Sequence, residues 1–412
     1  MKIVIATAVY SPMINGVAMF SHNLAMGLAE RGNEVLVLTP SHTGKSHSKM
    51  EDGARVCYLR SVEAKIYPDQ IHDTGAKKRL LYRHGFRVSV FPRREIKKIL
   101  EKFKPDVVHV QVSDPIGLSV VSYARKRNIP VVTTEHNQPE VITEPLGVPN
   151  FMKKPIDALL ASYFVNRQSK SDFVTMPTKQ AIDNLLSERD FKVPVAAVSN
   201  GVDLTNFKPG KAKAEIYEKY GIPKNKPIVL YVGRVDPEKN VGGVIDAFAL
   251  TLKKVPEAEL VIVGDGVDRE KLEKQVERLD IVDKVKFLGR VVGEDLYEIY
   301  KTGMVFATAS GIETQGIVLI EAAATGLPLI AVNAGAVKEI CVNGANGFLC
   351  QPGNETEIAE AMAKILGDRK LQKKFSEESL RLAQEHDFER TLDAFTNIYN
   401  DVIKTKQEKR TS

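Results

Sequence analysis

The 412-residue chain has no tryptophan, only 7 % aromatic residues and three cysteines, Cys57, Cys341 and Cys350. So few aromatics exclude an aromatic-lined groove for single-stranded nucleic acid as the main function. Three cysteines cannot form a disulfide framework, which points to a reducing compartment. Long apolar runs are also missing. The small and apolar stretch 3–9 is stopped by Tyr10-Ser11-Pro12 before it could act as a long signal or a membrane span. Neither G-x-G-x-x-G nor a Walker A loop occurs, so NAD oxidoreductase and ATP-binding readings lack their fingerprint.

What is present is ordinary for a globular protein. Hydrophobic residues make up 43 % and charged residues 27 %, which rules out a disordered chain. The length suits two domains of roughly 200 residues each. The net charge of +6 is unevenly spread: residues 1–200 carry 28 Lys and Arg against 19 Asp and Glu, and the remainder carries 30 against 33. The excess concentrates in 76–104, where 11 basic residues face only Glu95 and Glu101. Lys77, Lys78, Arg79, Arg83 and Arg87 are interleaved there with Leu80, Leu81, Tyr82, Phe86, Val88 and Phe91. Two readings stand, a solvated helix face and a basic amphipathic surface for anionic lipid headgroups. No recognition motif accompanies the charge, so nucleic acid is not an expected partner.

Along the chain, short Val- and Ile-rich runs alternate with helical spacing, first over 2–140 and again after Gly201. That rhythm predicts two doubly wound α/β layers with parallel sheets covered on both faces. The expected linker lies around 206–213, and 358–404 reads as charged helix with breaks near Gly367 and His386. Residues 405–412 read as a frayed tail.

In such sheets ligands sit beyond the carboxyl ends of the strands. Three glycine turns fall there: Asn15-Gly16, Gly233-Arg234 followed by Lys239, and Gly264-Asp265-Gly266. Arg234 and Lys239 at one strand end could hold a diphosphate. The richest segment runs from Glu313 through Thr314, Gln315, Gly316 and Ile317 to Glu321. It places two acids around a glycine-opened helix whose N-terminus suits a phosphate. Glu321 in an apolar helix needs a partner. Taken one at a time, each acid also reads as a capping or salt-bridging residue.

The segment resembles the retaining glycosyltransferases of family 4, with the GT-B fold. Their signature is two glutamates separated by seven residues, then Ala, Gly and Pro; Glu313, Glu321, Ala322, Gly326 and Pro328 match it. Gly233-Arg234 with Lys239, Asn200-Gly201-Val202-Asp203, Asn343-Gly344 and Asn346-Gly347-Phe348 also match. Asn15-Gly16 stands where the family usually has Gly-Gly, and His136 matches an active-site histidine that residue type alone would assign to the core.

The resemblance implies two Rossmann-like domains facing a cleft, residues 1–200 for the acceptor and 201–385 for the donor, with 386–412 crossing back as a C-terminal helix. It implies a nucleotide-sugar substrate and no required cofactor or metal. The lack of any strict D-x-D triplet agrees with that. Arg234 and Lys239 would stabilise the leaving diphosphate. Glu313 would hold sugar hydroxyls, backbone amides of Thr314, Gln315 and Gly316 the phosphate, and Glu321 the ribose. Gly16 would let the backbone approach the diphosphate, with Asn15, Gly233, Gly264 and Ile317 completing the donor site. His136 would face the sugar, while His109 is expected to be structural.

Many members have Pro-Phe-Gly after the first glutamate, whereas this chain has Thr314-Gln315-Gly316, as in the diacylglycerol glucosyltransferase branch. The segment Val108-His109-Val110-Gln111 also looks like that branch. With the basic 76–104 region, this favours a membrane lipid such as diacylglycerol as acceptor. Glucose and UDP are the favoured sugar and base, though the residues themselves leave UDP or GDP, and the hexose, open. The enzyme would then be peripheral on the inner face of the cell membrane. A phosphatidylinositol-type mannosyltransferase using GDP-mannose is the nearest alternative. A nucleotide-sugar epimerase, or a binding protein without turnover, are alternatives of other classes.

Overall fold

Near-continuous apolar runs become strands buried on both faces. The computed structural model describes residues 1–13, 15–63, 87–111, 114–136, 150–186 and 192–411. The chain forms two compact units, Met1–Ser199 with Thr391–Ser412, and Asn200–Arg390.

The strands of unit 1 are β1 (Lys2–Ala6), β2 (Glu34–Pro40), β3 (His47–Glu51), β4 (Ala54–Leu59), β5 (Ser61–Glu63), β6 (Arg87–Ser89), β7 (Val107–Val110), β8 (Val131–Thr134), β9 (Phe173–Met176) and β10 (Val195–Ala197). Its helices are α1 (Gly16–Glu30), α2 (Arg93–Phe103), α3 (Pro115–Lys126), α4 (Asn150–Gln168) and α5 (Lys179–Leu186). The main sheet has the order β10-β9-β8-β7-β1-β2-β4-β3. Ile3 pairs in parallel with Val35 on one side and Val107 on the other, so the strand order reverses at β1 and β7. Within this sheet, among the described residues, only the edge pair β3 and β4 is antiparallel, and β5 pairs β6 antiparallel apart from it.

Unit 2 contains β11 (Ile228–Val232), β12 (Glu259–Val263), β13 (Val285–Gly289), β14 (Val305–Ala307), β15 (Leu329–Val332) and β16 (Gly347–Cys350). Its helices are α6 (Ala214–Tyr220), α7 (Val241–Thr251), α8 (Arg269–Arg278), α9 (Glu294–Tyr300), α10 (Ile317–Ala324), α11 (Glu355–Gly367) and α12 (Arg369–Ala383). The all-parallel sheet has the order β13-β12-β11-β14-β15-β16 and reverses between β11 and β14. Val229 and Tyr231 enter one core while Ile228, Leu230 and Val232 enter the other. The period-2 pleat therefore explains why β11 is apolar at every position.

The last helix, α13 (Phe388–Thr411), carries the chain from unit 2 into unit 1. Arg31 bonds Asp393 at 2.7 Å, and Tyr399 Oη lies 2.7 Å from His109 Nδ1. The helix continues through 405–411, where a frayed tail is expected from sequence, because Lys406 pairs with Asp172 at 2.8 Å.

Within the basic 76–104 stretch, Lys77, Lys78, Arg79 and Arg83 lie outside the described residues. Within α2 the apolar side faces inward: Ile96, Leu100 and Phe103 are buried against Val108 and Val120, whereas Val90 and Phe91 just before it are exposed. Arg87 is half-buried and donates to Ser61 Oγ at 3.0 Å and to Ser61 O at 3.2 Å. This arginine is tied into the β5–β6 hairpin by a hydroxyl and a carbonyl, neutral partners that leave its charge in place. The α2 pattern is that of a surface helix on its own core.

Candidate active site

The carboxyl ends of β11 and β14, at the switch point of unit 2, bring a set of charged side chains together. The turn after β11 brings Arg234 and Lys239; the segment after β14 brings Glu313. Lys239 Nζ bonds Glu313 Oε1 at 2.6 Å, with the two side chains 20 % and 12 % exposed. Glu313 is also held through its backbone, since its carbonyl accepts from Ala336 N at 3.1 Å. Arg234 is half-exposed and bonds both Asp236 and Glu238. Asp236 is itself buried and accepts from Val267 N at 3.1 Å, fastening the arginine turn to the turn after β12. A Cβ on Gly264 would stand 1.8 Å from Gly233 O, so the two turns touch backbone to backbone. Gly264 thus has a packing reason to be glycine.

Helix α10 opens at Gly316, whose φ of 76° lies in the left-handed region that glycine tolerates without strain. Gln315 is buried, and its Oε1 accepts from Asn200 N at 3.1 Å, pinning the entry of unit 2 to the start of α10. The glutamine in place of the family's usual phenylalanine therefore fills a backbone-bonding position. Inside α10, Glu321 Oε2 accepts from Tyr300 Oη at 2.6 Å. Burial pushes the Glu321 carboxyl up to about 7, with the tyrosine bond acting in the opposite direction. The partner that a carboxylate in this helix requires comes from α9. Nothing in the sequence near Glu321 points to Tyr300, because the two are 21 residues apart.

In unit 1, Asn15 caps α1: its side chain accepts from Ala18 N at 2.9 Å. Its φ of −147° is extended backbone, so asparagine stands there without strain where relatives have glycine. His136, just past β8, is buried, with its ring edge-on to Phe20 at 5.3 Å. His136 Nε2 donates to Gln111 Oε1 at 2.8 Å, which leaves the lone pair of the neutral ring on Nδ1. Burial lowers the His136 pKa to about 4 and that of His109 to about 3. His109 is structural: Nε2 lies 2.6 Å from Thr134 Oγ1, and Nδ1 meets Tyr399. Gln111 Nε2 sits 3.2 Å from His109 Nε2, so one glutamine spans both histidines. Sequence reasoning assigns Gln111 no role. Its place one residue past β7, beside the switch point, is the signal that identifies it.

Among the described residues, unit 2 thus offers a fixed ammonium, a guanidinium and a glycine-capped helix start at one edge of a parallel sheet, a set suited to a phosphate ester. Two doubly wound units, the second with that site and a terminal helix returning to the first, define the GT-B glycosyltransferase architecture. A sucrose-phosphate synthase from Thermosynechococcus elongatus shares the fold, with a TM-score of 0.76 at 19 % identity over 98 % of this chain and 100 % of that one.

Residues 14–206 match the family described as Glycosyltransferase Family 4, and residues 212–381 match Glycosyl transferases group 1. The chain belongs to glycosyltransferase family 4 and is a hexosyltransferase. An alpha-monoglucosyldiacylglycerol synthase of Acholeplasma laidlawii is 29 % identical over 86 % of this chain and 86 % of its own length. A GDP-mannose-dependent alpha-mannosyltransferase of Mycobacterium tuberculosis is 26 % identical over 89 % of each. Among the described residues, no helix is long and apolar enough to cross a membrane.

Proposed function

We propose that the protein is a retaining glucosyltransferase moving glucose from UDP-glucose to a diacylglycerol-type membrane lipid. The observation that carries the reading is the Lys239–Glu313 pair beside Arg234 at the switch point of unit 2. The resemblance to the glucosyldiacylglycerol synthase and the Glu313-Thr314-Gln315-Gly316 segment support the lipid acceptor.

In this mechanism unit 2 holds the donor. The bond between the anomeric carbon and the diphosphate oxygen breaks as the acceptor hydroxyl oxygen bonds that carbon from the same face and gives its proton to the departing diphosphate. Lys239 and Arg234 stabilise the charge that develops on that leaving group. Arg234 exchanges Asp236 or Glu238 for a phosphate oxygen, two charge-assisted contacts of the same kind. Glu313 orients sugar hydroxyls while fixing the ammonium. Amides at Thr314, Gln315 and Gly316 take the phosphate, and Glu321, already bonded to Tyr300, takes ribose hydroxyls. Gly233, Gly264 and Ile317 shape the donor turns, and Asn15-Gly16 contributes the start of α1. His136, neutral and oriented by Gln111, offers its Nδ1 lone pair to the sugar. No side chain is assigned as a covalent nucleophile, and no cofactor or metal is required in this reading. The protein would work as a peripheral enzyme at the inner membrane face.

A GDP-mannose-dependent reading has its own support in the mycobacterial relative. The deciding experiment incubates the protein with UDP-glucose or GDP-mannose and vesicles containing diacylglycerol or phosphatidylinositol, following nucleotide release and glycolipid formation. Glucosyldiacylglycerol formed from UDP-glucose is expected. Mannolipid from GDP-mannose would replace the reading with the second one. Conversion of the sugar nucleotide without acceptor would make the protein an epimerase.

A further inference from the structure

Helix α4 is amphipathic in an unusual sense: both faces are apolar. One face carries Ala161, Phe164 and Val165, all buried, with Ala161 and Val165 packed in a cluster with Met176, Ala181 and Ile182. These positions recur at intervals of three and four and account for how the helix is held. The opposite face bears Phe151, Met152, Leu159 and Tyr163, which are 82 %, 43 %, 69 % and 43 % exposed. Phe151, Pro155, Leu159 and Tyr163 recur every four residues and form a single stripe. Four large apolar side chains left to water on one element call for a partner.

The charge beside the stripe indicates which partner. Residues 150–170 hold Lys153, Lys154, Arg167 and Lys170 against the single acid Asp157. Lys154 and Lys170 are exposed, and the Arg167 guanidinium lies over the Tyr163 ring at 5.1 Å. An aromatic and aliphatic stripe flanked by cations complements a bilayer interface with anionic headgroups, where acyl chains receive the rings and phosphates receive the cations. The helix cannot span: it is 19 residues long, interrupted by Pro155, and its other face belongs to the core.

We propose that α4 is a membrane-docking helix lying in the interface of an anionic bilayer with Phe151, Leu159 and Tyr163 inserted. The inference rests on the proposed membrane-lipid acceptor and assigns its docking to α4 rather than to the described part of 76–104. In that part the apolar α2 side chains Ile96, Leu100 and Phe103 are spent on the core while its arginines and lysines are exposed, and Phe91, 92 % exposed, is the most exposed large apolar group.

The test uses the full-length chain and vesicles of phosphatidylcholine with or without phosphatidylglycerol, read by co-sedimentation. Wild type is expected to bind the anionic vesicles in a salt-sensitive way. Phe151→Ser with Leu159→Ser should weaken that binding about 10- to 100-fold, since apolar burial supplies much of the hold. Lys154→Gln and Arg167→Gln should each weaken it about fivefold. Phe151, Lys154 and Leu159 are exposed and Arg167 is half-buried over the Tyr163 ring, so a matched thermal melt of each variant separates lost docking from lost folding. The proposal is overturned if the double serine variant binds like wild type, or if Phe91→Ser abolishes binding while the α4 variants do not. It is also overturned if the serine changes abolish self-association in sedimentation velocity rather than vesicle binding. Failure of wild type to bind any vesicle removes this surface, yet glucosyl transfer to a dispersed short-chain acceptor would still report separately on the proposed reaction.

Discussion

The Lys239–Glu313 pair allows catalysis and stability to be read apart. At 2.6 Å and with both side chains mostly buried, the pair has exchanged water for one another. Lys239→Met leaves the Glu313 carboxylate without its cation. Breaking a fully buried pair costs roughly 3–5 kcal/mol, and the remaining exposure lowers the expected loss to about 2 kcal/mol. Adding Glu313→Gln removes the stranded charge and should restore about 1 kcal/mol or more. Activity should not follow. A cation about 4 Å from a phosphate oxygen, at an effective dielectric near 20, is worth about 4 kcal/mol. Losing one such fixed group lowers kcat/KM by about 10²- to 10³-fold. Urea unfolding gives the first quantity and nucleoside diphosphate release the second. Lys239→Met is therefore expected to lose both, and the double variant to recover stability alone. If Glu313→Gln restored kcat/KM together with stability, or if Lys239→Met changed kcat/KM by less than about threefold, the pair would be a structural bridge and the leaving-group argument would fall.

Two further outcomes concern buried titrating groups, and their signs oppose. Glu321 holds its proton up to about pH 7 when folded and to about 4.5 when unfolded, so its stabilising contribution is complete below about 4.5 and disappears as pH rises through 7. The gap corresponds to roughly 3 kcal/mol, and Glu321→Gln should flatten that part of the stability–pH curve. Parallel wild-type and variant curves would show that the carboxyl is not desolvated. His109 and His136 are held neutral to about 3 and about 4, against about 6.5 when unfolded. Their stabilisation is present above about 6.5 and is lost as pH falls towards 4, and His136→Phe, packed on Phe20, should remove its share of the acid-side slope. An unchanged slope would mean that the ring gains a proton without cost.

How far the chain could be read in advance depended on whether the cause was local. The two doubly wound layers follow from apolar runs that must be buried on both faces, and β11 illustrates this, feeding alternate side chains to two cores. The edge strand β3, from His47 to Glu51, is almost wholly exposed and carries no apolar pattern to mark it as a strand, unlike its buried neighbour β4. The helix through 405–411 was missed for a similar reason: what holds it is Asp172, more than two hundred residues away. At the site, Lys239 and Glu313 stand out by type and position, and the fold joins them. The partners of the other site residues, Tyr300 for Glu321 and Gln111 for His136, do not stand out, since each acts through a bond made by the sheet topology, whereas Asn200, which donates to Gln315, lies in a segment that the family pattern marks.

The glycine turns show why a motif should not be read as ligand contact throughout. In the turn after β12, Gly264 yields to the Gly233 carbonyl, and Gly266 would place a Cβ 2.3 Å from the Val235 carbonyl. Both glycines therefore serve the approach of one turn to the other. That approach lets Asp236 reach Val267 N while bonding Arg234. The guanidinium is thus aimed by a carboxylate that is itself fixed by the neighbouring turn. Replacing Gly264 would displace the arginine turn, so its lack of a side chain positions Arg234, a packing role that stands beside the donor contact proposed for this turn.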